Sequence, residues 1–403
     1  VHDPGLEHAG AIVRPLRIAY VAYYDPMDIS QWSGTGYHMH RAMAEAGAEV
    51  TLVGPLKKLY HPWNVAQYLW NSKVRGYKDH PQRNKGFLRY YARQVERIIA
   101  GMDVDIVVGP GGLPLAYADL KVPMVVWTDA TFASLLDYYD AFSNVSPRSI
   151  RDGHAGERAL FSRCYRAIFS SRWAADSAAE AYGFDPRKIE VVSLGANVPY
   201  ERSAEEISAV IRARSREVLR LLFLGVQWYR KGGDTALEVG AELHRRGLPV
   251  RVELVGASPP EGTVLPAWAE SLGFIRKSTE DGMRRIGQLL DDSHFMILPT
   301  RADCTPIVFN EASSAGLPVV TTRTGGVPSV VHEGINGHLF DPDANASVWA
   351  DRIEALWNDR PAYEALCMAA WKDYGDRLNW RAAGNHAVRF LTQAVEDYKA
   401  GRP

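Results

Sequence analysis

The sequence predicts an α/β chain made of two doubly wound halves, and three observations predict it. Apolar runs of strand length recur along the chain (RIAYVAY at 17–23, DIVVG at 105–109, RLLFLG at 220–225, VELVG at 252–256), spaced by helix-length stretches. These runs are nearly continuous in Ile, Val and Leu rather than alternating, as parallel strands covered on both faces are. At 403 residues the chain can bury two separate cores.

Taken in order, residues 1–15 read as a loose arm, and 17–23 as a first strand. A long turn carrying Ser33-Gly34-Thr35-Gly36 leads into a helix that begins near Gly36 and stops at Gly47, before a second strand, EVTLV, at 49–53. Small residues in that turn let backbone approach a phosphate or sugar closely. His38 and His40 fall two apart and point to different helix faces, a poor metal pair. Residues 57–97 break the charge balance: ten Lys or Arg stand against Asp79 and Glu96, with aromatics such as Tyr60, Trp63, Trp70 and Tyr90 interleaved. Arg89, Arg93 and Arg97 share one helix stripe. That segment reads either as a solvated helical face or as a surface for anionic lipid heads or a phosphorylated acceptor.

Strands at 105–109 and 122–127 follow, the second running into Thr128-Asp129 at the ligand edge of the sheet. Asp129 is a candidate for contacting a sugar or an acceptor hydroxyl, or else an N-cap for the next helix. Strands near 167–171 and 189–193 complete the first half, and a charged connection at 197–217, interrupted at Pro199, is helical in its middle. The second half opens with the strand at 220–225 and the loop Val226 to Gly233, which holds Arg230 and Lys231.

The most informative stretch is 295–322: FMILPT, RADCTPIVFNEASSAG, LPVVTT. Two buried strands flank one punctuated helix, with Thr305 as N-cap, Pro306 in its first turn, Gly316 past its end and Pro318 barring continuation. The amides of Ile307 and Val308 then lie free at the positive end of the helix dipole, an anion site suited to a diphosphate. Glu311 lies about 7 Å further along at ~1.5 Å per residue, where its carboxylate can accept from two neighbouring ribose hydroxyls. Asp303, before the helix, can face a transferred sugar.

Composition narrows the classes. Apolar content of 46%, charged content of 23% and a net charge of −1 fit a globular protein and argue against one basic throughout, as many nucleic-acid binders are. Cys164, Cys304 and Cys367 form neither a zinc pattern nor a disulfide framework, so a reducing cytoplasm fits. The opening VHDPGLEHAG carries no signal-peptide pattern, and no run approaches the ~20 apolar residues that span a bilayer. No P-loop, no Gly-x-Gly-x-x-Gly after a strand and no Gly-x-Ser-x-Gly elbow is present. Asp291-Asp292 and Asp341-Pro342-Asp343 imitate an Asp-x-Asp metal motif but lie far in sequence from the phosphate helix.

An acidic residue, seven residues, Glu311, then Ala-x-x-x-Gly-x-Pro-Val-Val resembles the E-x7-E signature of retaining GT-B glycosyltransferases of family 4. TGGVPSVVHEGINGHLF, from Thr324 to Phe340, is similar to the same family's next segment. Departures are Asp303 for the first Glu, Ser329 where Glu is frequent, Thr128 where many members have His, and Val226 after Gly225 where an Arg is usual. The resemblance implies two Rossmann-like domains facing a cleft. An acceptor domain would cover 1–198 and a nucleotide-sugar domain 199–378, with a last helix at 379–403 crossing back. It implies Lys231, Asp303 and Asp129 as catalytic. Donor contacts would come from Gly34, Gly36, Arg230, Lys231, Phe274 (at the base), Thr305, Ile307, Val308 and Glu311.

The expected activity is transfer of a sugar from a nucleoside-diphosphate sugar to a glycan or lipid-linked acceptor, with retention, no cofactor, no metal and no nucleic acid. The expected location is cytoplasmic, with peripheral contact to anionic membrane through 57–97. A non-catalytic nucleotide-sugar-binding protein, or a GT-B epimerase or phosphorylase, is the alternative.

Overall fold

The computed structural model describes residues 14–58, 70–198 and 201–402. Most of the arm expected at 1–15, with Tyr60, Trp63 and Pro199, lies outside them. Two parallel six-stranded sheets organise the rest. The first contains β1 (Arg17–Val21), β2 (Glu49–Val53), β3 (Ile106–Pro110), β4 (Met124–Thr128), β5 (Arg166–Phe169) and β6 (Ile189–Val191) in the order β2-β1-β3-β4-β5-β6. The second contains β7 (Leu219–Gly225), β8 (Val250–Gly256), β9 (Ala269–Gly273), β10 (Phe295–Leu298), β11 (Val319–Thr322) and β12 (Gly337–Phe340) in the order β12-β11-β10-β7-β8-β9.

Central strands β3, β4 and β10 are buried at every position, which is why their sequences are predominantly apolar. Edge strand β9, AESLG, is half exposed, and its polar sequence gives no strand signal.

Strand order locates the ligand sites. Chain direction across the second sheet reverses between β7 and β10, and across the first between β1 and β3. Open α/β sheets bind ligands outside the carboxyl ends of strands at such switch points. Lys231 follows β7 and Asp303 follows β10, so topology alone brings them together.

The last helix ties the lobes together, and Ile307 of the phosphate helix packs against the same core. Helix Trp380–Lys399 lays Ala383, Ala387, Leu391 and Ala394 onto the core beneath β1, β3 and β4. A Cβ on Gly384 would come 2.2 Å from the Ala42 carbonyl oxygen of helix Thr35–Glu45, so only glycine permits this close approach. Asn197 of the connection accepts from Trp380 Nε1 at 2.9 Å and donates to the Ser33 carbonyl at 2.8 Å, joining connection, last helix and glycine turn. Helix Ala204–Ala213 occupies the middle of the connection. Among the described residues no helix is long and apolar enough to cross a membrane.

Candidate active site

Helix Ile307–Ser314 starts one residue later than its sequence suggests. Pro306 is the N-cap, with ψ 99° in the extended region, and no side chain caps the helix. Thr305 is therefore not the cap. Its hydroxyl donates to the Cys304 carbonyl at 2.7 Å and bonds the Ser170 hydroxyl of the first lobe. The first bond back along the helix is Phe309 N to Pro306 O at 3.0 Å, leaving the Ile307 and Val308 amides ahead of it. Beyond the far end, Gly316 takes φ +55° as expected of a C′ glycine. Buried Arg214 donates to the carbonyls of Ala315 and Gly316 at 2.7 and 2.9 Å, satisfying the helix's last acceptors.

Beside this helix, Lys231 Nζ donates to Asp303 Oδ2 at 2.8 Å. Thr300 Oγ1 donates to the same oxygen at 2.8 Å, and Arg230 lies 3.4 Å from Oδ1 while donating to the Ala302 carbonyl at 2.8 Å. The turn after Lys231 makes this possible: Gly232 has φ +77°, and a Cβ there would lie 2.1 Å from Pro299 O. Lys231 is 7% exposed, and burial pulls its pKa below the ordinary lysine value, with Asp303 opposing. The arginine missing after Gly225 has a counterpart in space. Gln227, at φ 68°, accepts from Arg230 Nε and turns that guanidinium toward the cluster.

Glu311 is 1% exposed and ion-paired with Lys277. Phe274 projects from the carboxyl end of β9 and is 70% exposed.

Across the seam stands Asp129. Trp32 Nε1 donates to its Oδ2 at 3.2 Å. Although part of its surface remains accessible, protein atoms surround it. That desolvation pushes its pKa up to about 6; the Trp32 bond opposes the rise and the charge of Asp303 adds to it. Asp129 does not cap the following helix, since Thr131 does so with Ser134 in a reciprocal box. Thr128 donates to the Ala130 carbonyl at 3.2 Å. Gly34, at φ +82°, begins helix Thr35–Glu45, and a Cβ on Gly36 would lie 2.1 Å from the Tyr24 hydroxyl.

Besides Trp32 and Thr300, three groups escaped the sequence reading. Tyr138 and Tyr139 of the first lobe reach consecutive amides of the second: Asp303 N donates to the Tyr138 hydroxyl at 2.9 Å, and Cys304 N to that of Tyr139 at 3.0 Å. The Arg230 guanidinium lies 5.2 Å from the centre of the Tyr139 ring. Gly325 leaves room for this contact, because a Cβ there would lie 2.0 Å from the Tyr138 hydroxyl. Lys277 is the third. None of them lies in a motif, and only the second-half Gly-Gly pair, Gly325-Gly326, hinted that something approaches closely.

Ser329 accepts from the Arg172 amide of the other lobe at 2.9 Å, a structural use for that departure. Asp291 takes both nitrogens of Arg202 at 2.6 and 2.8 Å. Among the described residues no three His, Cys, Asp or Glu side chains gather as metal ligands, and all three cysteines are free and buried.

Two family models match the chain: Glycosyltransferase Family 4 over residues 36–198 and Glycosyl transferases group 1 over residues 219–359. A D-inositol 3-phosphate glycosyltransferase of Rhodococcus erythropolis is 26% identical over 259 residues, 61% of this chain and 58% of that protein. Its counterpart in Nocardia farcinica is 28% identical over 263 residues, 61% and 56% of the two chains. The match thus spans less than two thirds of these relatives' own length. Sucrose-phosphate synthase from Thermosynechococcus elongatus superposes with a TM-score of 0.65 at 14% identity, covering 94% of this chain and 98% of that one. HepE of Anabaena in complex with UDP-glucose gives 0.59 at 15% identity, covering 94% and 100%. At these identities the two structures speak to fold alone.

Proposed function

Because the chain belongs to the family 4 glycosyltransferases and has their GT-B fold, we propose that it moves a sugar, hexosyl or related, from a nucleoside-diphosphate sugar to an acceptor hydroxyl with retention. The observation that carries this reading is the meeting of Lys231, Arg230 and the uncapped start of helix Ile307–Ser314 at the β7/β10 switch point.

In this reading the amides of Ile307 and Val308, with Lys231 and Arg230, take the diphosphate charge that grows as the bond from the anomeric carbon breaks. The acceptor oxygen forms its bond on the face that the nucleotide leaves, through an oxocarbenium-like state, and the acceptor proton passes to the departing phosphate oxygen. Glu311 holds the ribose, Phe274 lies at the base, and Gly34, Gly36 and Thr305 border the donor. Asp303 and Asp129 orient the sugar and the acceptor hydroxyl. The pairing with Asp303 holds Lys231 in place. The positive charge that the leaving group needs is present in the chain, which supports transfer without a metal. The seam made by Tyr138 and Tyr139 would exclude water from the donor.

Acceptors of the glycan or lipid-linked class suit a role in glycan, glycolipid or polysaccharide synthesis. Arg89, Arg93 and Arg97 stay exposed on helix Lys85–Ile99 while Leu88, Ala92 and Val95 face the core, a stripe suited to the anionic inner face of a membrane. UDP-glucose, the ligand named for HepE, is the first donor to try. The test is a transfer assay across UDP-, GDP- and ADP-sugars with a sugar acceptor panel, the product's anomeric configuration read by NMR. A retained configuration from one donor class is expected. Binding without turnover across the panel, or an inverted product, contradicts the reading.

A further inference from the structure

We infer that Lys277 forms, with Glu311, a two-residue clamp for the ribose of the donor, and that Lys277 sets the preference for a ribonucleotide. The inference rests on the donor reading above and adds a residue to it. Glu311 is 1% exposed, yet a single cation, Lys277, is paired with its Oε2. Among the described residues nothing donates to its other oxygen, Oε1. A carboxylate oxygen can accept more than one hydrogen bond, and two neighbouring hydroxyls would supply them.

Lys277 is fixed where such a ligand would pass. Its side chain is 32% exposed, so its ammonium keeps donors for a second partner beyond Glu311. It sits in a short turn after Phe274, and that turn is locked. Thr279 N and Thr279 Oγ1 both donate to the Arg276 carbonyl, at 3.3 and 3.0 Å, and Gly282 N donates to Thr279 Oγ1 at 3.2 Å. A Cβ on Gly282 would come within 2.0 Å of that Arg276 carbonyl oxygen, so the turn can rest on helix Glu280–Asp292 only because Gly282 has none. This locked turn carries Lys277, which lies shortly after Phe274 and reaches the buried carboxylate of a different helix. The ammonium keeps Glu311 oriented and offers its remaining protons to ribose oxygens that Glu311 accepts from.

The experiment compares UDP with 2′,3′-dideoxyuridine diphosphate by calorimetry on wild type, Lys277→Met, Lys277→Arg and Gly282→Ala, with ADP and GDP pairs run alongside. Wild type should favour the ribonucleotide by at least about tenfold, the scale of one hydrogen bond to a charged group. Lys277→Met should remove most of that preference while leaving affinity for the dideoxy compound within about twofold. Lys277→Arg should restore part of it. Gly282→Ala, which moves the turn without deleting a charge, should behave like Lys277→Met. Equal loss for both nucleotides in Lys277→Met means a merely structural lysine and overturns the inference, as does an unchanged preference. If wild type binds none of UDP, GDP and ADP, the donor reading falls and takes this clamp with it, a result distinct from the first two.

Discussion

The two walls of the cleft carry opposite charge arrangements. On the second lobe, two cations and an uncapped helix start surround one carboxylate, Asp303, which Lys231 and Thr300 both hold at 2.8 Å. On the first lobe, Asp129 has an indole as its hydrogen-bond donor, and its pKa is pushed up to about 6. A wall that gathers positive charge suits a leaving diphosphate; a wall with one proton-hungry carboxylate suits a neutral hydroxyl. The proposed division into donor and acceptor lobes would rest on this electrostatic contrast.

Breaking the positive wall should have the largest effect. Lys231→Ala is expected to lower kcat by about 10²–10³, the range for removing one group that stabilises developing charge. Glu311→Ala should raise the donor KM by at least about tenfold, the scale of its hydrogen bonds to a ribose. Circular dichroism should show both folded. Turnover near the wild-type value in Lys231→Ala would remove its role.

The opposite wall should respond less and with a different signature. Asp129→Asn should cost about 10–100-fold in kcat/KM, less than the loss of a full general base, because the proposed route gives the proton to the diphosphate. Wild-type activity should fall as pH drops through about 6, and the asparagine variant should lose that limb. Stability runs the other way. Burial raises the carboxyl's affinity for a proton, so the contribution is present below the ordinary carboxylate pKa and is lost as pH rises through about 6. Asp129→Asn should therefore gain in Tm over wild type at pH 8 and not at pH 4. A pH profile unchanged by the substitution would detach Asp129 from the reaction.

The seam between the walls comes next. Replacing Tyr138 and Tyr139 by Phe removes two hydroxyls bonded to second-lobe amides, each worth about 1 kcal/mol. Small-angle scattering of the donor-free double variant should show a more open particle, and an unchanged profile would show the seam to be held elsewhere. The smallest effect on chemistry belongs to the basic stripe. Arg89→Glu with Arg93→Glu and Arg97→Glu should abolish flotation with anionic vesicles at low salt and leave donor binding within about twofold, since exposed charges act over about a Debye length of ~10 Å. Flotation equal to wild type would dismiss that surface.

How much was legible follows the same contrast. The second wall is written in one contiguous stretch, since a helix start, its proline, its glycine stop and Glu311 must follow at fixed spacing. Lys231 was picked out by the resemblance, since a Lys-Gly turn by itself reads as an ordinary surface turn. The sheets were readable wherever strands are buried on both faces, and β9 was not, being a polar edge. The N-cap was misplaced by one residue because Thr305 and Pro306 both suit a helix start, and a contact to Ser170 claims the threonine. The first wall is assembled from Trp32, Asp129, Tyr138 and Tyr139, which come from separate segments of the first lobe; no spacing records that. Lys277 was silent for the same reason, as its partner lies 34 residues away.

The central claim is that the start of helix Ile307–Ser314 and Lys231 grip a diphosphate. Calorimetric titration of UDP, GDP and ADP into wild type and Lys231→Ala tests it most directly. The account predicts saturable one-to-one binding of at least one nucleotide by wild type, weakened at least about tenfold in the variant, the scale of a charge-assisted hydrogen bond. Equal affinity in the two proteins, or no binding of any nucleoside diphosphate by wild type, would contradict it.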